Sequence, residues 1–491
     1  MTAAPARGIH DLAAAEPDRV ALISDRATWT FADLEAATNR FATAYASAGV
    51  GQGERVAVRL TNRNELFAAW AGAARVGALV VPISYRFTVA ESRHLVADSG
   101  ARVLVHEDTS LAVAATDGLD VTGVAVDEVD GLLATPPNED FLGTPVMWMT
   151  YTSGTTGQPK GIVRPTPQPM RETPPQPYMQ FWGFGRDDVH VLTGPAYHTA
   201  PGAWAWMHLV EGAPVVVMER FDAARFLELV AEHRATNSHM VPANFVRLLE
   251  LPSDVREAAD LSSIRRIIHG AAPCPPAVKR GVIDLFPEGT VWEYYGASEG
   301  MGTVISPDEW LDHEGSVGRA FPGLETVILD EQGQPVPDGE VGRVHISAVP
   351  GFEFAYHQAP DKTAEAWSGS HFTVGDLGWM DEDGYVYLAD RRTDLILRGG
   401  VNVYPAEIEA ALVEHDVVVD AAVIGLPDER LGQRVHAILE APGDLDEEEL
   451  RAFLAERLAD FKIPASFEMV EELPREPTGK VSRARLRAER M

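Results

Sequence analysis

A chain of 491 residues exceeds the length at which single hydrophobic cores stop growing, so we expect at least two domains. It carries 41 Lys and Arg against 73 Asp and Glu, and the net charge of −32 disfavours binding to nucleic acid or to an anionic membrane. The single cysteine, Cys274, excludes an internal disulfide and is typical of a cytoplasmic protein, while no stretch approaches the ~18 consecutive apolar residues of a membrane span.

Strand and helix patterns alternate through most of the sequence. A β-rich run at 55–60 precedes helical apolar spacing at 64–77 and a second apolar strand at 78–83. The same rhythm recurs at 221–241 and at 264–286. Interleaved strands and helices predict α/β layers built on largely parallel sheets.

Residues 152–161, with the sequence TSGTTGQPKG, follow an apolar run and contain no large apolar side chain. Such a loop is either a solvated linker or a cradle for phosphate, in which glycines let the backbone approach an anion and Lys160 adds a positive charge. It is not a Walker A loop, because Gly161 stands where that motif has Ser or Thr. Composition alone favours the linker.

Residues 164–177 are dense in proline, which predicts an extended surface segment. Near Asp390 the pattern changes to a charged turn, a short apolar strand and a pair of glycines. The tail beyond them carries helix and strand patterns sufficient for a small α+β domain. We therefore place an N-terminal domain at 1–392 and a C-terminal domain at 393–491.

Four further stretches combine turn residues with candidate functional side chains: YYGASEG at 294–300, FTVGDLG at 372–378, DRRTD at 390–394 and PREPTGKVSR at 474–483. Each alone is typical of an ordinary turn or a solvated surface. Together with TSGTTGQPKG, in this order, they resemble the core motifs of the adenylate-forming superfamily, which includes acyl- and aryl-CoA synthetases, peptide adenylation domains and firefly luciferases. The resemblance extends over essentially the whole chain.

The resemblance implies an α/β fold with a large N-terminal domain of layered α/β subdomains plus a β-barrel-like part, and a small, mobile α+β C-terminal domain. It also implies two half-reactions. The first joins a carboxylate to ATP, giving an acyl-AMP and pyrophosphate, and the second passes the acyl group to a thiol.

The resemblance assigns most of the motif residues to ATP. The phosphate loop would wrap the β- and γ-phosphates with Thr152, Ser153, Gly154, Thr155, Thr156, Gly157 and, at its end, Lys160. The rest of the nucleotide site would comprise Gly270, Ala271, Ala272, Glu293, Tyr294, Gly296 and Ala297. Tyr295 would stack on adenine. Asp376 would accept hydrogen bonds from both ribose hydroxyls, assisted by Arg391.

The same resemblance implies the catalytic residues. Lys480 would reach the α-phosphate and carboxylate oxygens as charge develops. Glu299 would hold Mg²⁺, and Ser298 keeps a hydroxyl for the phosphate at a position usually held by threonine. Ordinary alternatives stay open, since Ser298 could cap a helix and Asp376 could form a salt-bridged turn with Arg391.

Residues 195–208 fall where the family places its acyl pocket, and His198, the third candidate catalytic residue, lies where a gate separates that pocket from the thiol tunnel. The two residues after His198 offer no carboxylate for the ammonium of an amino acid, which would be costly to bury unpaired. Trp204 and Trp206 indicate either a bulky apolar wall or ordinary core packing. We therefore expect a hydrophobic acid.

The stretch LRGGVNVYPAEIE resembles the glycine loop of CoA ligases, in which Gly399 and Gly400 let pantetheine pass, and this favours CoA over a carrier protein. One position departs from the family pattern, because Thr393 replaces the usual Asp or Lys of the hinge, although Asp394 matches. The oligomeric state, including a homodimer, is left open.

The leading hypothesis is an acyl- or aryl-CoA synthetase that acts on a hydrophobic acid with ATP, Mg²⁺ and CoA. One rival is an adenylating enzyme that ignores CoA, such as an ATP-dependent diazotase using nitrite and an aromatic amine, or an amide-forming ligase. The other is a non-catalytic binding protein of this fold, against which Lys160, Glu299, Asp376 and Lys480 argue.

Overall fold

Helices and strands alternate along the chain, as the sequence patterns predict. The computed structural model describes residues 6–152, 160–166, 168–174, 177–391, 394, 396–398, 401–403, 405–428, 432–441, 446–458, 460–475 and 481–491. The helices are α1 (Ile9–Ala15), α2 (Phe31–Ser47), α3 (Asn64–Ala74), α4 (Val89–Ser99), α5 (Thr109–Thr116), α6 (Pro177–Trp182), α7 (Thr199–Glu211), α8 (Ala223–His233), α9 (Pro242–Leu249), α10 (Ser253–Ala258), α11 (Pro276–Leu285), α12 (Pro307–Asp312), α13 (Pro360–Ala366), α14 (Pro405–Val413), α15 (Glu447–Ala455) and α16 (Arg483–Ala488), with 3₁₀ turns at Val126–Gly131, Glu139–Phe141 and Asp460–Lys462.

The strands are β1 (Val20–Ser24), β2 (Thr28–Thr30), β3 (Arg55–Arg59), β4 (Leu79–Pro82), β5 (Val103–His106), β6 (Thr122–Ala125), β7 (Thr150–Thr152), β8 (Lys160–Val163), β9 (His190–Leu192), β10 (Val215–Val217), β11 (Asn237–Met240), β12 (Arg266–His269), β13 (Val291–Ala297), β14 (Gly300–Ile305), β15 (Ser316–Ala320), β16 (Thr326–Leu329), β17 (Gly342–Ser347), β18 (Ala355–Tyr356), β19 (Trp367–Ser368), β20 (His371–Phe372), β21 (Asp376–Met380), β22 (Val386–Arg391), β23 (Ile396–Arg398), β24 (Val401–Val403), β25 (Asp420–Asp428), β26 (Gly432–Glu440) and β27 (Ser466–Val470).

The first of two compact units comprises Met1–His239, Ala259–Ile267 and Pro350–Thr363. It contains a parallel sheet in the order β4-β3-β5-β6, which includes the strands predicted at 55–60 and 78–83. In a second sheet β1, β10, β9 and β11 run parallel, and β2 joins β1 antiparallel. Apolar side chains of α2, α3 and these strands form one large buried cluster, so burial of the apolar helix faces holds the unit together.

Local capping chemistry fixes where helices begin. The hydroxyl of Thr30 accepts a hydrogen bond from the Asp33 N–H, and the Asp33 carboxylate bonds back to Thr30, which completes a capping box at the start of α2. Thr88 and Glu91 form the same box at α4. Each box satisfies backbone N–H groups that the helix leaves unpaired.

The second unit comprises Met240–Ala258, Ile268–Val349 and Ala364–Met491. Its strands are mainly antiparallel, with β13, β14, β15, β22, β21 and β17 paired in that order. Toward the end of the chain, two hydrophobic clusters have all their buried members between Ile396 and Leu486. These clusters pack α14 and α15 against β25, β26 and β27, as the predicted α+β tail requires.

The architecture confirms the predicted fold class, because it is mixed α/β with a large N-terminal domain and a smaller C-terminal domain. The boundary at 392 and the mobility of the C-terminal domain stay predictions. In the part of the chain that the structure describes, no helix has both the length and the apolar character that a bilayer span demands.

Candidate functional site

The ends of the predicted phosphate loop are fixed by a small antiparallel sheet. Strand β7 pairs with β8, so that Thr152 stands opposite Lys160, and β18 pairs with the other edge of β8. The Lys160 ammonium lies 5.1 Å from the ring centroid of Tyr356, within the range of a cation–π contact. The loop residues between these ends, which include Ser153, Gly154, Thr155, Thr156 and Gly157, lie outside the described residues.

Polar contacts hold the same stem in place. The Tyr151 hydroxyl donates to Asp98 Oδ2 at 2.5 Å, and the His357 N–H donates to the Gly161 carbonyl at 2.7 Å. A Cβ at Gly161 would come within 2.5 Å of the Met149 side chain. A side chain at Gly161 would therefore require the end of the flexible Met149 side chain to move, so this position packs closely within the stem.

The predicted adenine and ribose residues contact each other directly. The Tyr295 hydroxyl on β13 donates to Asp376 Oδ2 on β21 at 2.8 Å. Each of the two side chains is only 8% exposed. Gly375, at φ +89°, supplies the left-handed turn that leads into Asp376. In the β21–β22 register Asp376 faces Arg391, whose side chain lies outside the described residues.

Residues 270–272 form the turn that follows β12. A Cβ at Gly270 would approach the Tyr294 carbonyl oxygen to 2.6 Å and the Tyr294 ring to 3.0 Å, so only glycine fits. Ala271 adopts φ +70°, a left-handed conformation that non-glycine residues rarely occupy. Ala272 completes the turn. The backbone conformation of this turn is therefore determined by its close contact with β13 and not by the conformational preferences of its own residues.

Ser298 and Glu299 lie in the tight turn from β13 into β14. A Cβ at Gly296 would meet the Gly300 carbonyl oxygen at 2.7 Å, and the register shifts between Tyr295 and Gly296. Glu299 is 7% exposed at this bulge. The alternative in which Ser298 caps a helix is wrong, because a strand follows the turn.

Glu293 contacts a partner that the motifs did not indicate. Its Oε2 lies 3.1 Å from the Nζ of Lys279, which is fully buried on α11, and 3.6 Å from Nε2 of His269 at the end of β12. Burial raises the pKa of the Glu293 carboxyl, and the Lys279 ammonium opposes that shift. The charge of Lys279 between apolar positions of α11 is the signal that could have revealed this cluster from the sequence.

His198 immediately precedes α7 as its N-cap residue. Its ring lies 4.5 Å from that of Tyr197, and burial raises the pKa of Tyr197 to about 12. Asn62 holds the segment before His198, because its side chain accepts from the Ala196 N–H at 2.8 Å and donates to the Gly194 carbonyl at 2.9 Å. Asn62 was not predicted, since its role depends on a contact more than a hundred residues away in sequence.

The tryptophans of α7 belong to an aromatic core. Trp204 packs edge-to-face against Trp182 at 5.8 Å, and Trp206 packs edge-to-face against Trp148 at 6.4 Å. Both side chains are buried. Of the two alternatives for these residues, core packing is therefore the observed one, and it makes the helix that follows His198 bulky and apolar.

Buried histidines lie beside this helix. The rings of His190 and His208 stack at 4.5 Å, and His190 Nδ1 lies 2.7 Å from the Asn237 amide oxygen. Within the described residues, the Nε2 atoms of His190 and His208 have no hydrogen-bond partner. Burial lowers the pKa of His208 to about 4, that of His239 to about 3, and that of His190 well below its ordinary value.

These pKa shifts predict a stability that falls in mild acid. Histidines of the unfolded chain take up protons as the pH falls below their ordinary pKa of 6.5. In the folded protein His208 stays neutral until the pH approaches its lowered pKa of about 4. Stability is therefore present above pH 6.5 and is lost as pH falls through that window, by about 1.4 kcal/mol per pH unit and per histidine. Urea unfolding of His208→Gln between pH 7.5 and 5 is expected to show a shallower loss of stability with falling pH than the wild type. Equal slopes in the two proteins would contradict the prediction.

Several predicted residues lie outside the described residues: Lys480, Gly399, Gly400 and Thr393. Their assignments stay predictions. Asp394, next to the hinge position, accepts from the Arg483 side chain at 3.1 Å.

Comparison with known families agrees with the motifs. Residues 9–350 match the AMP-binding enzyme family, and residues 407–480 match the AMP-binding enzyme C-terminal domain. Fatty acid–[acyl-carrier-protein] ligase ScoC of Streptomyces coeruleorubidus is 33% identical, over 96% of this chain and 93% of its own length. Long-chain-fatty-acid–CoA ligase FadD13 of Mycobacterium tuberculosis is 32% identical, over 93% of this chain and 92% of its own length.

Solved structures match along the whole chain. o-Succinylbenzoate CoA synthetase (MenE) from Bacillus subtilis, in complex with the acyl-adenylate intermediate OSB-AMP, has a TM-score of 0.84 at 28% identity and covers 98% of both chains. The amide bond synthetase McbA from Marinactinospora thermotolerans has a TM-score of 0.83 at 26% identity, covering 96% of this chain and 97% of its own. The fold and the matched domains define an adenylate-forming enzyme. The chain belongs to the AMP-binding enzyme family, in the acyl- and aryl-CoA synthetase branch that the motifs predicted.

Proposed function

We propose that the protein converts a hydrophobic carboxylic acid, ATP and CoA into an acyl-CoA, AMP and pyrophosphate. The enzyme is an AMP-forming acid–thiol ligase. The observation that carries the proposal is the buried hydrogen bond from Tyr295 to Asp376 in a chain that matches AMP-binding enzymes over both of its domains. Because that pair combines an aromatic face with an acceptor-only carboxylate, it suits a base and the hydroxyls of its sugar.

The described residues fit a nucleotide and its metal. Asp376 would accept from the ribose hydroxyls while Tyr295 stacks on adenine and holds the carboxylate through its own hydroxyl. Glu299 would hold Mg²⁺ together with phosphate oxygens, since this hard cation is usually bound by one or two carboxylates and substrate phosphates. Bound Mg²⁺ would neutralise charge on the phosphates. Thr152, Lys160 and the residues between them would surround the phosphates.

The reaction brings two anions together, so the protein must supply positive charge where bonds change. A carboxylate oxygen attacks the α-phosphorus, the bond to pyrophosphate breaks, and an acyl-AMP forms. The thiol of CoA then attacks the acyl carbon, AMP leaves with the former carboxylate oxygen, and the thiol proton is released. Lys480 would stabilise the first transition state, and Gly399 and Gly400 would let the pantetheine chain reach the acyl carbon.

An apolar acid is supported by helix α7. After His198 the helix carries no carboxylate until Glu211, and Trp204 and Trp206 form part of an aromatic core beside it. An amino-acid ammonium buried there would lack a carboxylate partner from this helix. A fatty or aromatic acid is therefore the preferred substrate class.

A second candidate function is adenylation followed by transfer to an acceptor other than CoA. It is supported by the likeness to the amide bond synthetase McbA and to the acyl-carrier-protein ligase ScoC. Nitrite with an aromatic amine, as in a diazotase, belongs to the same candidate. A cytoplasmic location is supported by the single cysteine, and a homodimer stays a prediction.

The test is pyrophosphate release from ATP, measured against a panel of fatty, aromatic and steroid acids and nitrite. Each is assayed with CoA, with an acyl-carrier protein, with an aromatic amine and with no acceptor. The proposal expects turnover that depends on an acid and is stimulated by CoA, with AMP and a CoA thioester in equal amounts. Turnover that needs nitrite or an amine and ignores CoA would replace it by the second candidate.

A further inference from the structure

A lysine is completely buried in the second unit. The Lys279 side chain on α11 is 0% exposed, and its ammonium lies 5.6 Å from the ring centroid of Trp310. Its Nζ donates to Glu293 Oε2 at 3.1 Å and to Nε2 of His269. Lysine is almost never fully buried unless it is paired, so the cluster of Lys279, Glu293 and His269 is a built arrangement.

Stability alone does not account for this cluster. Removing a lysine and a glutamate from water is expensive, and apolar residues of similar size at such positions are often as stable or more stable. The cluster must also keep His269 neutral at Nε2, so that this nitrogen can accept the hydrogen bond from Lys279. A buried network of this kind fixes geometry, because each member has one arrangement that satisfies all the others.

Two members of the cluster, His269 and Glu293, lie close in sequence to residues predicted to contact the nucleotide. His269 ends β12 and is followed directly by Gly270 and by the left-handed Ala271. Glu293 lies two residues before Tyr295 on β13, within the same strand. The Lys279 ammonium thus connects His269, at the start of the Gly270 turn, to Glu293, on the strand that carries Tyr295.

We propose that Lys279 is a positioning residue for ATP, which acts through His269 and Glu293 to hold the Gly270 turn and the Tyr295 strand in register. The inference rests on the proposed function, because it assigns the nucleotide to those two segments. Loss of the cluster should weaken the apparent affinity for ATP and leave the apparent affinity for the acid unchanged. A purely structural pair would change the melting temperature or kcat without separating the two KM values.

The test replaces the charges and keeps the volume. In Lys279→Met/Glu293→Gln, the glutamine amide can donate to His269 Nε2, so the fold keeps a hydrogen-bonded core. The expected result is a KM for ATP raised about tenfold or more, equivalent to about 1.4 kcal/mol of binding, with the KM for the acid within about twofold. Arg75→Met/Glu35→Gln is the matched control, because it removes a pair in the first unit, joined at 2.6 Å, in which Arg75 is buried and Glu35 is partly buried. That control should alter the melting temperature and not the KM for ATP.

A double variant that folds and keeps the wild-type KM for ATP would overturn the proposal. If the double variant does not fold, His269→Gln is measured instead, because it keeps the ion pair between Lys279 and Glu293. A raised KM for ATP in that variant supports the proposal, and a wild-type KM overturns it. If the wild type shows no acid-dependent turnover, the proposed function fails, and calorimetric ATP binding by the same variants then tests Lys279 separately. Equal ATP affinity of wild type and variants in that experiment would overturn the proposal.

Discussion

Lys480→Ala is expected to lower acid-dependent pyrophosphate release about 100-fold or more, the effect typical of removing one electrostatic donor from a developing transition-state charge. The lysine would balance charge as the carboxylate attacks the α-phosphorus, a role that the motifs assign to Lys480. The second half-reaction should be spared, so the variant should convert a preformed acyl-adenylate and CoA into thioester at close to the wild-type rate. Single-turnover assays of each half-reaction measure the two effects separately.

Lys462→Ala is the matched control for this experiment. Lys462 pairs with Glu407 at 2.5 Å within the C-terminal part of the chain, and a partly exposed ion pair of this type contributes little. Its replacement should change either half-reaction by no more than about twofold, as expected for a surface ion pair. An active Lys480→Ala enzyme would contradict the catalytic assignment, and an equal loss in both lysine variants would point to a general effect on the domain.

Asp376→Asn is expected to raise the KM for ATP by about 10- to 150-fold, the range set by about 1.5–3 kcal/mol for hydrogen bonds to a charged group. The physical reason is the loss of the negative acceptor for the ribose hydroxyls. The variant should also lose its preference for ATP over 2′-deoxy-ATP, because a neutral amide forms a weaker hydrogen bond with the 2′-hydroxyl than a carboxylate does. Steady-state kinetics with both nucleotides measures the change.

A second tyrosine–aspartate pair provides the control for Asp376. The Tyr387 hydroxyl donates to Asp381 Oδ2 at 3.2 Å, which repeats the contact between Tyr295 and Asp376 at a site with no predicted nucleotide role. Asp381→Asn should retain the wild-type preference for ATP over 2′-deoxy-ATP. If Asp376→Asn also retained that preference, Asp376 would not bind the ribose.

Local periodicity was sufficient to predict several of the helices and strands. Strands β3 and β4 and helices α3, α8 and α11 occur within the predicted segments, because their apolar positions repeat with the periods of strand and helix. The order of the five motifs was sufficient to predict the family, because each motif is a short stretch whose turn-forming and polar residues can be recognised without knowledge of the fold. The proline-dense segment contains no helix or strand in residues 164–166 and 168–174, as expected for prolines that cannot donate to a ladder.

Contacts between distant parts of the sequence could not be predicted in this way. Tyr295 and Asp376 are 81 positions apart, and only the folded sheet brings their side chains together. The Glu293 carboxylate was assigned to the nucleotide site, yet its observed partner is Lys279, 14 positions earlier on another element. Both contacts depend on how β13 packs against its neighbours, which local sequence patterns do not specify.

The proposed reaction requires ATP to activate a carboxylate by forming an acyl-AMP. Formation of this intermediate can be measured with an acid from the panel that carries ¹⁸O in both carboxylate oxygens, by mass spectrometry of the AMP product. We expect AMP that contains one ¹⁸O atom, because the oxygen that attacks the α-phosphorus leaves with AMP when the thiol attacks the acyl carbon. Unlabelled AMP formed together with acyl-CoA, or ADP in place of AMP, would exclude an acyl-AMP intermediate.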